Sequence, residues 1–224
     1  MEVIDLTLPL EDGLRAVPFL PRVYIDHHQT HSHTAAMYEP PCQGVCTTFF
    51  SLVDHCGTHV DAPFHFLPQG RDISRVEPEK LMGPGVLIDA SKKHTEEPVT
   101  AGMLEEQLQM QGDSLTEGDI VLIRCWPHEW GTEGYFACGA LDTSAADFLI
   151  EKKVKAVGVD TISVDCLEDK RRPVHLKLLQ EEIIPIETLV NLHLLPRNNF
   201  EFIALPLPLK GGSASPVRAV AVLK

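Results

Sequence analysis

Residues 85–124 read GVLIDASKKHTEEPVTAGMLEEQLQMQGDSLTEGDIVLIR. Both ends of this stretch, 85–90 and 119–124, are short runs of Val, Ile and Leu, which is how a buried strand reads. Between them, TAGMLEEQLQ is built from helix formers, and Thr100 stands where a hydroxyl caps a first turn. The alternation continues downstream. A helix opened by Asp142 or Thr143 runs to about Lys153, residues 155–160 (KAVGVD) form a strand, and 173–182 has helical spacing with Leu176 and Leu179 three apart. A strand at 183–186 follows. Outward from this middle the helices stop. Residues 3–10 alternate as a strand ended by Glu11-Asp12-Gly13, and 46–53 (CTTFFSLV) is β-branched and aromatic. Residues 200–207 and 217–223 read as late strands joined by a loop at 210–213. Two prolines argue against a helix in 14–30. The pattern predicts an α/β fold with a β-rich body rather than a plain doubly wound sheet. With 224 residues, one domain spanning 1–224 is the simplest organisation.

Composition narrows the partners. Acidic residues outnumber basic ones by 32 to 19, for a formal charge of −13, so nucleic acid and anionic membranes are poor partners. No apolar run reaches the roughly 18 residues of a membrane span. Acids occupy the N-terminal stretch where a signal peptide would be basic, so a cytoplasmic location is expected. The six cysteines are scattered, and free thiols in a reducing compartment are the simplest reading. No glycine-rich nucleotide loop is present.

The chemistry concentrates in His55-Cys56-Gly57-Thr58-His59-Val60-Asp61-Ala62-Pro63-Phe64-His65. Three imidazoles and a carboxylate within eleven residues are the ligands of zinc, manganese or iron(II). If 59–61 is extended, His59 and Asp61 share one side of the strand. Gly57 allows the backbone to bend so that His55 returns to the same point, and Pro63 stiffens the exit. A second histidine cluster, His27, His28, His31 and His33, has only Asp26 as a carboxylate neighbour and reads as a polar loop or exposed strand. Asp160, Ser163 and Asp165 are pocket residues or members of a capped turn. Trp126, Trp130, Tyr135 and Phe136 form an aromatic wall or pack together, and Cys56 faces the core.

The same segment resembles the signature H-x-G-T-H-x-D-x-P-x-H of the cyclase family of metal-dependent hydrolases, which includes bacterial kynurenine formamidase. The likeness extends to IDLTLPL at the N-terminus, to 157–165 (VGVDTISVD), to His175 with Glu187 twelve residues later, and to the closing FIALPLPLKGGSASPVRAVAV. The resemblance implies the family's swivelling β/β/α fold and a homodimer or homotetramer. It implies two divalent metals, zinc with manganese also suited: His55, His59 and Asp61 on the first, His175 on the second, Asp61 and Glu187 bridging. His65 would move protons; a further ligand or a partner to one is its alternative role. The implied activity is hydrolysis of a small amide by metal-activated water, with N-formylkynurenine as the first substrate to consider. Alternatives are a cyclic amide, imide or lactone, or a metal-binding protein without turnover. The formamidases carry an N-terminal Trp-Pro that packs on the substrate ring. Here the comparable stretch, 17–21, has no tryptophan, and Phe19 is the substitute.

Overall fold

The computed structural model describes residues 1–223 except Arg197 and Asn199. Its frame is a nine-stranded mixed sheet. Four parallel strands form the middle: β5 (Met82–Asp89), β6 (Ile120–Arg124), β7 (Ala156–Val159) and β8 (Ile184–Glu187). Antiparallel strands extend it both ways. On one side lie β9 (Phe200–Ile203), β11 (Val220–Leu223) and β1 (Glu2–Asp5); on the other lie β4 (His59–Asp61) and β10 (Ala214–Pro216). Strands β2 (Tyr24–Gln29) and β3 (Thr47–Ser51) pair separately as an exposed two-stranded ribbon. The fold is mixed α/β with a β-rich body, as the alternation implied.

Period-two alternation explains the two cores. Val86, Ile88, Val121 and Ile123 point to one face, where they meet α2 (Ala101–Gln111), α3 (Thr143–Glu151) and α4 (Pro173–Gln180). Leu87, Ile120, Leu122, Ile184 and Ile186 point to the other, where Leu6, Val60, Phe200 and Phe202 close over them. Gly85 is required at this second face: a Cβ there would stand 2.0 Å from the Phe200 ring.

The helices begin where their caps stand. Thr100 Oγ1 accepts from Met103 N at 3.3 Å, and Asp142 Oδ1 accepts from Ala145 N at 2.9 Å. Helix α4 has no local side-chain cap. Asp165 supplies one from nine residues upstream, its two oxygens accepting from Val174 N and His175 N at 2.8 and 3.1 Å.

Sequence and structure part at the ends. The first strand stops at Asp5, although an isolated bridge joins Thr7 to Leu189. The loop expected to join the last two strands runs into β10, a three-residue strand too short to show a period. Strand β2 lies in the stretch where only a helix was argued against, and at His27 and His28 it is the exposed strand that was one of the two readings of the histidine cluster. His27 and His28 lie on it, while His31 and His33 lie in the short helix α1 (His31–Thr34).

Candidate active site

The segment 55–65 enters the sheet as β4, between β8 and β10. Val60 fills the core, while His59 and Asp61 share the opposite side of the strand. The register sets His59 directly across from Glu187 of β8. Gly57 takes φ +66°, and the turn it permits swings His55 back toward Asp61. Thr58 locks the turn, donating to Thr188 O at 2.6 Å and accepting from Leu8 N at 2.8 Å. His175 arrives in the first turn of α4. Three side chains of one segment therefore meet two from more than a hundred residues downstream, His175 and Glu187.

Each of three imidazoles has one nitrogen held by the protein and the other turned to the carboxylates. His59 Nδ1–H donates to the Gly57 carbonyl at 2.8 Å, leaving Nε2 at 3.4 Å from both Asp61 Oδ1 and Glu187 Oε2. His175 Nδ1–H donates to Asp165 at 2.6 Å, leaving Nε2 at 3.1 Å from Asp61 Oδ2 and Glu187 Oε1. His55 Nδ1 lies 2.9 Å from Asp61 Oδ1, and its Nε2 lies 2.9 Å from Ser213 Oγ. Ser213 itself donates to Asp54, so its oxygen is free to accept from His55. Pinning one ring nitrogen fixes the tautomer that presents the other as a ligand.

The donor set fits a divalent cation. His59 Nε2 and Asp61 Oδ1 are buried and make no hydrogen bond of acceptable geometry, although they lie 3.4 Å apart. The ligand atoms form two sets that overlap at Asp61: His55, Asp61 and His65, and His59, Asp61 and Glu187. His55 lies closer to His65 than to His59, with ring centroids 3.9 and 5.2 Å apart.

Burial would raise Asp61, but the His175, His55 and His59 rings gathered around it outweigh that and hold the carboxyl well below its usual range. Glu187 is raised by burial and by Asp61, yet His175 and His59 carry it down to about 2. Burial lowers His59, and Asp61 with Glu187 more than reverse that, to about 10. His175 is likewise raised well above the usual range. His65 differs: burial pushes it down to about 4, so it is neutral at pH 7.

A cavity of about 230 Å³ opens on this cluster. It is smaller than the roughly 300–1,000 Å³ of most ligand sites, which limits it to a small molecule. Phe19, Leu20, Phe66, Ile162 and Leu167 give it apolar walls, and Arg172 reaches its edge. Phe19 is 71% exposed at the mouth. Ser163 lines this cavity, whereas Asp165 stands behind His175. Asp160 lies elsewhere, in a larger cavity of about 510 Å³ walled by Trp126, Trp130 and Tyr135. No comparable set of ligand atoms gathers there among the described residues. Cys56 faces the core, 3% exposed. The contributions of Asp54, Ser213 and Arg172 had no local sequence signal.

The Cyclase family model matches residues 4–166. The chain belongs to the cyclase family. Kynurenine formamidase of Bacillus cereus (strain ATCC 14579) is 35% identical over 220 residues, covering 98% of this chain and 96% of that protein. Kynurenine formamidase of Bacillus thuringiensis (strain Al Hakam) is 35% identical over 167 residues, 74% of this chain and 75% of that one. Among solved structures, isatin hydrolase A from Labrenzia aggregata, bound to benzyl benzoate, superposes with a TM-score of 0.84 at 25% identity, covering 100% of this chain and 94% of that one. Isatin hydrolase A from Ralstonia solanacearum gives 0.82 at 25% identity, covering 100% and 92%. This cyclase-family chain is a hydrolase acting on amides, with a site suited to a divalent metal and a small-molecule substrate. No helix among the described residues is long and apolar enough to cross a membrane.

Proposed function

We propose that the chain is an arylformamidase that hydrolyses N-formylkynurenine to kynurenine and formate. His55, His59, Asp61, His175 and Glu187 would hold the divalent metals, two being expected from the family resemblance, and the buried carboxylates Asp61 and Glu187 would supply their anionic ligands. The observation that carries this reading is the convergence of three tautomer-fixed imidazoles on two buried carboxylates at the floor of an apolar cavity. The identity with kynurenine formamidase over nearly the full length of both chains supports the substrate. Zinc is the ion proposed; manganese suits the same ligands.

The bound metals supply Lewis-acid polarisation of the amide carbonyl and activation of water near neutral pH. His65 does the proton work. Neutral at pH 7, it accepts a proton from the attacking water and then delivers it to the leaving nitrogen, which is too basic to depart unprotonated. Asp165, Ser213 and the Gly57 carbonyl keep the three ligand rings oriented throughout. The apolar walls hold the aryl group and exclude bulk water.

A second reading, ring opening of a cyclic amide, is favoured by the full-length likeness to isatin hydrolase A. Assaying zinc-loaded protein on N-formylkynurenine and on isatin separates the two. A kcat/KM at least a hundredfold higher on N-formylkynurenine is expected; the opposite preference overturns the first reading in favour of the second.

The same proposal includes one domain, a cytoplasmic location and a dimer or tetramer. Six free cysteines support a reducing compartment. The ribbon of β2 and β3 exposes Tyr24, Phe49 and Phe50, which supports association. Light scattering that gives a monomer mass would remove the oligomer.

A further inference from the structure

Two adjacent arginines end the loop before α4, and they have opposite fates. Arg171 is 85% exposed, and its Nε and Nη2 grip both oxygens of Asp169 at 2.9 and 2.8 Å. Arg172 is half-buried and lines the cavity above the ligand cluster. Among the described residues no carboxylate lies within 4.0 Å of it, and its one side-chain hydrogen bond is a long one, Nη1 to Cys166 O at 3.4 Å. A guanidinium carries five donors, so most of its capacity has no protein partner among the described residues.

The backbone holds Arg172 in that position at a cost. Its φ and ψ are both 50°, a left-handed conformation that side-chain-bearing residues rarely adopt. Arg172 N donates to Asp169 O, and Leu176 N donates to Arg172 O; Pro173 follows and begins the helix. The strain is thus fixed from both sides, at the point where it decides which arginine turns inward. The apolar walls are Val17, Phe19, Leu20, Phe66, Ile162 and Leu167, and Arg172 is the only lysine or arginine among the residues lining this cavity. An unfilled guanidinium bordering an apolar cavity suits a planar anion, bound through paired N–H donors.

We propose that Arg172 is the specificity residue of this site and binds a carboxylate carried by the substrate at a distance from the scissile amide. The substrate class that follows is an aryl amide with an apolar ring against Phe19 and Phe66 and an anionic substituent reaching Arg172. This inference rests on the cavity being the amide-hydrolysing site, and it adds a requirement which the metal chemistry alone does not impose.

The test uses full-length, zinc-loaded protein as wild type, Arg172→Gln and Arg172→Lys. The substrates are N-formylkynurenine and formanilide, an aryl formamide without a carboxylate. Arg172→Gln is expected to raise KM for N-formylkynurenine about ten- to a hundredfold, the usual loss for a charge-assisted pair, with kcat within about threefold. KM for formanilide stays within about twofold, and Arg172→Lys recovers part of the loss. An equal effect on both substrates, or none on either, overturns the proposal. Calorimetric titration of wild type with kynurenine and with its methyl ester needs no variant: tighter binding of the acid supports the proposal, and equal affinities overturn it. If wild type cleaves neither formamide, the arylformamidase reading falls, and the kynurenine comparison still decides the role of Arg172.

Discussion

Asp61 is fully buried between three imidazoles, and nothing but a cation or their protons can balance it there. Its removal and that of His65 should therefore differ in kind. Asp61→Asn is expected to lose bound metal and activity together, as read by elemental analysis of the purified variant; full metal content would sink the shared-ligand role. His65→Ala is expected to keep its metal while kcat falls about 10²- to 10⁴-fold, the range for a lost general acid–base. Metal lost along with activity would make His65 a ligand, a place its closeness to His55 and Asp61 also permits. The raised His59 and His175 lead to a second expectation. Without metal both are imidazolium at pH 7, and a metal ligand must be neutral. Metal uptake should release protons, and affinity should rise with pH up to about 10, where His59 loses its proton. Calorimetry in buffers of different ionisation enthalpy measures the release, and uptake without protons would contradict it.

At the scale of elements, the turn at Gly57 and the first turn of α4 do the positioning. His55 swings on Gly57, and His59 is anchored to the Gly57 carbonyl, so one turn governs two of the proposed ligands. A Cβ there would sit 2.8 Å from Leu10 Cδ2 on a backbone at φ +66°. Gly57→Ala is expected to lose about 1–2 kcal/mol of stability, mainly from the left-handed backbone, and to weaken metal binding. A thermal melt and a metal titration both matching wild type would falsify this. Asp165 shows the limit of local reading. Ten residues before His175, it reads equally as a turn cap or a pocket residue, and it is in fact both the cap of α4 and the partner of the His175 ring.

Across the whole molecule, the site lies where the parallel strands β5–β8 give way to antiparallel β4 and β10. Helices α2, α3 and α4 cover the face of the sheet carrying Val121 and Ile123. Off the site, Asp160 is a buried carboxylate whose burial outweighs the pull of the Cys125 and Trp126 amides and raises it to about 7. A carboxyl raised above its unfolded value binds more protons folded than unfolded. It therefore costs stability as pH rises from about 4 to about 7, by at most about 1.4 kcal/mol per pH unit. Asp160→Asn should gain on wild type between pH 5 and pH 8 in urea unfolding. A difference that stays constant with pH would show that Asp160 is ionised throughout.

The sequence alone determined what is local. The types and spacing of His55, His59, Asp61 and His65, the bend at Gly57 and the strand that follows depend on neighbours a few residues away, and all were legible. That 85–90 and 119–124 are buried strands was legible for the same reason, while the division of Val86 and Leu87 between two cores was not. The resemblance placed His175 and Glu187 in the set, although a lone histidine and a lone glutamate carry no signal of their own. Only the tertiary structure decided that they converge. Asp61 and His175 are 114 positions apart, and the order and register of β8, β4 and β10 bring them within 3.1 Å. Sheet order also pairs Ser213 with His55, and the fold of the loop before α4 sends Arg172 rather than Arg171 into the cavity. Such pairings are set by long-range packing, which composition and periodicity do not encode at any one position.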